Sequence, residues 1–363
     1  MGLFTPLRLG DLDLPNRIVM APLGRARNDP ATREPGALSQ LYYAQRASAG
    51  LIIAEATHVS PGSISRPGTG AIHTTGQITA WRRVTDAVHA QGGRIVQQLF
   101  HLGRKADPAR RPGGLLPVAP SAIAAQGTYP AADGTATPFP VPRAALPSEI
   151  PILRGEFSRA IRNSRAAGFD GVELHAANGF LIEQFLRSDA NQRKDDYGGS
   201  IPNRARFLLE VVDDAIATFG KGRVGVRISP HFRVDGPGTN DAAALYTYVA
   251  DELGQRGIAY LHLIEPDSTP QAERLAPALK AAFGGPLILA ADFTRDSGEA
   301  ALDAGRAEAI AYGRLYIANP DLVERFALPD APLNAPDEAT FHNGGAHGYT
   351  DYPRLTGVTL QTA

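Results

Sequence analysis

The run Gly171-Val172-Glu173-Leu174-His175-Ala176-Ala177-Asn178-Gly179-Phe180 reads as a strand that passes into a loop. A short apolar stretch ends at a histidine, an asparagine follows three residues later, and a glycine then lets the backbone turn. Two hydrogen-bonding side chains therefore stand just past the carboxyl end of a strand, where α/β folds keep their chemistry. Working outward, seven further apolar, β-rich runs occupy 17–23 (RIVMAPL), 51–56 (LIIAEA), 94–100 (RIVQQLF), 224–230 (VGVRISP), 260–265 (YLHLIE), 286–292 (PLILAAD) and 309–314 (AIAYGR). Segments of helical period lie between them. Over 203–219 the spacing puts Phe207, Leu208, Val211, Val212 and Ala215 on one face, and over 241–253 it gathers Leu245, Tyr248, Val249 and Leu253. Apolar strands flanked by amphipathic helices imply a parallel sheet buried on both faces. Eight such units in 363 residues predict an α/β fold of the (β/α)8 TIM-barrel type. A doubly wound sheet is the competing arrangement, but no G-x-G-x-x-G follows the first strand.

The chain reads as a single domain over 1–363, with two irregular regions and a short C-terminal tail at about 355–363. Residues 1–16 resemble a short hairpin that closes the bottom of the barrel. Residues 101–153 are rich in Pro, Gly and Ala and lack helical period. Loops of that length in a compact domain are usually functional or disordered. This one leaves the carboxyl end of a strand, so it is expected to act as a lid.

Composition narrows the function. A net charge of −1 gives no support for nucleic-acid or anionic-membrane partners. No apolar run approaches transmembrane length, and the N-terminus lacks the features of a signal peptide, so a cytoplasmic location is the default. The absence of cysteine excludes disulfides, Cys-based zinc or iron–sulfur sites and thiol catalysis.

In a barrel, the site is built from strand ends. Those positions hold Pro22, Leu23 and Gly24, then Ala56 and His58, Gln98 and His101, His175 and Asn178, Arg227, His262, Ala291 and Asp292, and lastly Gly313 and Arg314. Several are small, so a planar or phosphorylated ligand could lie close against the main chain. Phosphate sites in this fold recur after strands 7 and 8, beside a short extra helix. Gly313-Arg314 falls there, and Asn319-Pro320-Asp321-Leu322 opens a helix. The alternative is that Arg314 is a surface ion-pair partner. His175 and Asn178 could donate to one oxyanion or carbonyl oxygen, or they could be a satisfied core histidine and a loop-capping asparagine. Arg227 lies within an apolar strand, where a guanidinium needs an anionic ligand or a carboxylate. Gln98 likewise needs a partner. The strand-end histidines raise a metal-dependent hydrolase as an alternative, although no H-E-x-x-H or His-x-His pair occurs and no metal ligands are assigned. No G-x-S-x-G occurs either.

These residues carry a resemblance that covers roughly 3 to 355. The stretches are NRIVMAPLGRAR from Asn16, GLIIAEAT from Gly50, QLFHLGR from Gln98 and FDGVELHAANGFLIEQFL from Phe169. They continue with NQRKDDYGGSIPNRARF from Asn191, VGVRISP from Val224, IAYGRLYIANPDLVERF from Ile310 and GYTDYP from Gly348. The chain resembles the Old Yellow Enzyme family of flavin-dependent ene-reductases, and within it the bacterial branch of pentaerythritol tetranitrate and N-ethylmaleimide reductases. The resemblance implies a barrel that binds FMN and takes NADPH or NADH as reductant. Its substrates would be activated alkenes (α,β-unsaturated carbonyls and nitroalkenes), with nitro compounds or nitrate esters as further candidates. Carried over, Pro22, Leu23, Gly24 and Ala56 would contact the flavin ring and Gln98 and Arg227 its pyrimidine edge. Ala291, Asp292, Gly313 and Arg314 would take the phosphate, and His175 and Asn178 the substrate oxygen. A monomer or homodimer is expected.

Three departures matter. The family commonly has a proton-donating Tyr where this chain has Phe180, so water or another hydroxyl, such as Tyr349, is expected to substitute. Gly24 stands where Thr or Cys is common, which removes one donor to the flavin. Phe100 replaces a frequent Trp and, with Phe180, would form the substrate pocket. A flavin-binding protein of weak turnover is the non-catalytic alternative.

Overall fold

The computed structural model describes residues 2–64, 66–131, 134–328 and 330–355. The expected tail at 355–363 lies, but for its first residue, outside them. Eight parallel strands close into a ring: β1 (Ile18–Met20), β2 (Leu51–Ile53), β3 (Ile95–Phe100), β4 (Gly171–Ala176), β5 (Val224–Ile228), β6 (Tyr260–Ile264), β7 (Leu287–Ala290) and β8 (Ala309–Tyr312). Closure is made by β8 pairing with β1, where Tyr312 stands opposite Met20. The predicted barrel is therefore present.

The outer ring comprises α1 (Ala37–Ala44), α2 (Thr75–His89), α3 (Ile150–Ala166), a short α4 (Leu181–Leu186), α5 (Ile201–Phe219), α6 (Ala242–Arg256), α7 (Ala276–Phe283), α8 (Arg295–Asp303), and α9 (Arg314–Ala318) and α10 (Leu322–Ala327) after β8. The α5 and α6 faces read from the sequence are buried, including Phe207, Leu208, Val211 and Val212 on α5 and Leu245, Val249 and Leu253 on α6. They cover the outward residues of the strands, such as Leu174 and Val226. α3 begins at Ile150, inside the segment read as loop. Pro151 hid this start, yet a proline in the first turn gives up no helical hydrogen bond. Among the described residues no helix is long and apolar enough to cross a membrane.

The N-terminal hairpin pairs Leu7–Leu9 with Leu12–Leu14 in antiparallel register. Leu9, Leu12 and Leu14 pack with Val19, Leu51, Val96 and Ile288 inside the barrel. The Asp11 N–H donates to the Gly222 carbonyl at 2.8 Å, just before β5, so the hairpin plugs the amino-terminal end. Between β3 and α3 the chain makes short helical turns and two small sheets. Val118–Ala119 runs parallel to Arg143–Ala144, and Thr128–Pro130 is antiparallel to Ala136–Pro138.

Candidate active site

Side chains alternate along a strand, so every second residue of each strand enters the barrel. On β3 to β6 this puts Gln98, Glu173, His175, Arg227 and His262 inside. On β1, β2, β7 and β8 it puts Ala21, Ile53, Ala290 and Ala311 inside. One half of the barrel top is thus polar and the other half apolar and mostly small. Above the small half opens a cavity of about 460 Å³ lined by Pro22, Leu23, Arg227, Ala291, Asp292, Gly313 and Arg314, among others. Its size falls within the roughly 300–1,000 Å³ of cofactor and ligand sites.

Neighbouring strands bring the polar half into register: Gln98 with Glu173, His175 with Arg227, and Arg227 with His262. Gln98 Nε2 donates to Glu173 Oε1 at 2.7 Å, which supplies the partner its strand position demands. His262 Nδ1 lies 2.9 Å from Glu173 Oε2. Burial alone would raise the Glu173 carboxyl. The neighbouring His262, Arg227 and Gln98 outweigh it and hold the group below the usual carboxylate range. Glu173 is therefore the carboxylate that Arg227 called for, although the two form no ion pair. Arg227 keeps a buried Nε with no hydrogen-bond partner among the described residues.

His175 and Asn178 are brought to one edge of this layer. Burial, then the charge of Arg227, drives the His175 imidazolium well below its usual range, so the ring is neutral at ordinary pH. Its Nδ1 is buried without a partner among the described residues. Asn178 adopts a left-handed backbone, φ 57°, and its N–H donates to Ser229 Oγ at 2.8 Å. Among the described residues its carboxamide makes no hydrogen bond, so it is no loop cap. Phe180 packs edge-on to His175, with ring centroids 4.8 Å apart, and edge-on to Phe100 at 5.0 Å. Ala56 packs, as Phe180 does, against the cluster of Phe100, Leu102 and Ala106.

At the other end, α9 starts directly at Arg314, capped by Gly313. The run Asn319–Leu322 does open a helix, α10 from Leu322 with Asp321 as its N-cap, but none of these residues lines the cavity, which the start of α9 borders instead. Arg314 is exposed and pairs with no carboxylate among the described residues, unlike a surface ion-pair residue. Ala291 and Asp292 hold positive φ, 99° and 60°, strained values for non-glycine residues. The Asp292 side chain is exposed. Gly24 lies outside the cavity lining, and a Cβ placed on it would meet nothing within 4 Å.

Two expectations change. Tyr349 is not brought to His175 or Asn178. It is 1% exposed, stacks on Tyr42 at 4.1 Å and turns its hydroxyl onto Ser39, because GYTDYP folds back as packing between α1 and Arg25. The strand-end histidines also scatter: His58 bonds to Ser63 and Thr69, His101 accepts from the Gly103 N–H and His262 serves Glu173. No cluster of metal-ligating side chains occurs among the described residues. Glu173 and Lys105 are the site residues not singled out from the sequence. The signal for Glu173 was its place in an apolar strand two residues before His175.

Comparison with known proteins gives a consistent picture. The profile of the NADH:flavin oxidoreductase / NADH oxidase family matches residues 2–329. A probable flavin mononucleotide-dependent alkene reductase of Leishmania infantum is 42% identical, covering 96% of each chain. The 12-oxophytodienoate reductase 1 of Oryza sativa subsp. japonica is 41% identical over 97% of this chain and 93% of its own. Morphinone reductase in complex with tetrahydroNAD superposes with a TM-score of 0.93 at 48% identity, covering 98% of both chains.

Proposed function

This chain belongs to the NADH:flavin oxidoreductase / NADH oxidase family, the Old Yellow Enzymes, and from that premise we propose an FMN-dependent NAD(P)H ene-reductase acting on activated alkenes. The observation that carries the assignment of the site is the cavity running from Arg227 to Arg314, with an orphaned guanidinium nitrogen at one end. The residues present fit FMN. Arg227 and Gln98 would hold the pyrimidine edge, and Arg227 would offset the negative charge gained on reduction. Pro22, Leu23, Gly24 and Ala56 would face the ring. Gly313 and Arg314, with the backbone of Ala291 and Asp292, would hold the phosphate.

FMN, when bound, supplies a hydride acceptor for NADPH or NADH and a hydride donor for the alkene. The protein then has to orient the alkene and stabilise charge on its activating oxygen. Neutral His175 and the free carboxamide of Asn178 are donors poised for that oxygen, and they are worth most for the enolate-like charge of the transition state. Phe100 and Phe180 wall the pocket against water. Gln126, in the segment after β3, donates its N–H to the Asp235 carbonyl at 2.9 Å, and this tether supports a lid role for that segment.

Purified protein tests the proposal directly. It should be yellow, bleach anaerobically with NADPH or NADH, and regain colour with an enone. A protein that binds no flavin overturns the proposal. Colour that the reductant bleaches and the alkene cannot restore would leave a flavin-binding protein instead.

A further inference from the structure

Reducing an alkene needs a proton as well as a hydride, and the residues that hold the oxygen cannot readily supply it to carbon. Asn178 and Phe180 have no acidic proton, and His175 is a neutral ring already assigned to the oxygen. One acid does stand beside them. Lys105 ends the short helical turn Gly103–Lys105 that follows β3. Its Nζ donates to the backbone carbonyl of Asn178 at 3.0 Å. The same nitrogen lies 5.1 Å from the Phe180 ring centroid and 5.2 Å from that of Phe232.

This placement is built. The Arg104 N–H donates to Gln184 Oε1 at 3.0 Å, and Gln184 Nε2 returns to the carbonyls of Leu102 and Gly179 at 2.9 and 2.7 Å. The turn is thereby pinned to the loop that carries Asn178. Gly103, φ 59°, is required here because a Cβ would sit 2.1 Å from Gln184 Oε1. A half-buried ammonium is expected to sit against a carboxylate, yet none lies within ion-pair reach of Nζ among the described residues. Two aromatic faces hold it instead. Beyond it opens a second cavity of about 220 Å³, lined also by Arg66, Asp107 and Tyr129, through which water can reach the nitrogen. Burial lowers the ammonium from its usual range, which makes it a stronger acid.

We propose that Lys105 is the general acid of the reaction and delivers the proton to the α-carbon of the substrate. The step rests on the ene-reductase reading above. Hydride brings two electrons to the β-carbon and the C=C π pair moves toward the activating oxygen. An N–H bond of Lys105 then breaks as a C–H bond forms at the α-carbon. The product is saturated, Lys105 is left as a neutral amine, and water from the second cavity reprotonates it. Without this acid an enolate returns its hydride, whereas the more stable nitronate of a nitroalkene can leave and be protonated in solution.

The test compares wild-type holoenzyme with Lys105→Met and Lys105→Arg. Reduction of an enone by wild type decides the underlying reading, and the variants decide this one. Both variants should lose roughly 10²-fold or more in enone reduction, the scale of general acid catalysis, because arginine keeps the charge but cannot release a proton. Nitroalkene consumption should fall far less, with free nitronate visible in solution. Equilibrium binding of a phenolate, an enolate mimic, should weaken severalfold in Lys105→Met and be retained in Lys105→Arg, because the first removes and the second keeps the cation beside the anion. Enone rates within twofold of wild type in both variants, or restored by arginine alone, overturn proton delivery by Lys105.

Discussion

Arg227 shows how a single residue is held for a task other than stability. Its guanidinium sits beside Glu173 and His262 without pairing to either, and its Nε has no partner among the described residues. A buried charge that no hydrogen-bonded partner neutralises costs the fold its lost hydration, and burial is what pushes this guanidinium below its usual range. Arg227→Met should therefore leave the apoprotein at least as stable to urea while reducing FMN affinity about 10- to 100-fold, the worth of a charge-assisted hydrogen bond. Unchanged affinity in a flavin titration would remove Arg227 from the site. Gly24 makes the complementary case, with open space around its absent Cβ. Gly24→Thr should add a donor and raise the flavin potential, and a variant that titrates at the wild-type potential refutes that expectation. His101 is one source of acid sensitivity, beside His58 and His175, whose rings burial also lowers. Burial, then Arg111, lowers His101 to about 3, against an ordinary value of about 6.5. Its contribution is complete above pH 6.5 and is lost as the pH falls toward 3. Between pH 7 and pH 4.5 that amounts to about 2–3 kcal/mol. Glu55 and Glu183, raised by burial to about 7, work oppositely: their contribution is present below about pH 4.5 and is lost as the pH rises toward 7. Urea unfolding of wild type against His101→Asn at both pH values isolates the histidine, and equal acid losses in the two proteins contradict the assignment.

Among the elements, the strands support the site through what they leave out. Gly225 on β5 has no side chain because the Tyr260 ring of β6 fills its place, 2.2 Å from where a Cβ would stand. Gly225→Ala should cost about 1–3 kcal/mol by overpacking, read as a lower denaturation midpoint, and no loss would mean the ring moves freely. The loops after β4 and β5 are joined by Asp235, which pairs with Arg187 at 2.7 Å and with Arg104 at 3.6 Å. All three are at most 2% exposed. Asp235→Ala should destabilise by about 3–5 kcal/mol and speed proteolysis within 101–149. Intact loops under limited proteolysis would separate this cluster from lid order.

For the whole molecule, a ligand that binds only the folded barrel stabilises it by mass action. Free FMN at 100 times its dissociation constant should add about 2.7 kcal/mol, and an unchanged melting midpoint on adding FMN argues against a flavin site. The barrel itself was legible in the chain because its determinants are local: eight apolar runs, two helical faces and the bare alternation that points Gln98, His175 and Arg227 inward. The strand-end positions that line the cavity, among them Pro22, Leu23, Arg227, Gly313 and Arg314, were legible for the same reason, since strand ends are readable once strands are. Other features depended on contacts between distant segments. Whether GYTDYP enters the site is decided by the packing of Tyr349 on Tyr42, some 300 residues away in sequence, which no local pattern encodes. The partnership of Glu173 with Gln98 and His262 needs the register of four strands. The approach of Lys105 to Asn178 depends on a turn pinned by Gln184. Periodicity and turn chemistry act over a few residues, and so they specified the elements. The side chains that meet across the mouth of the barrel are set by the closing of the ring and the folding back of its loops.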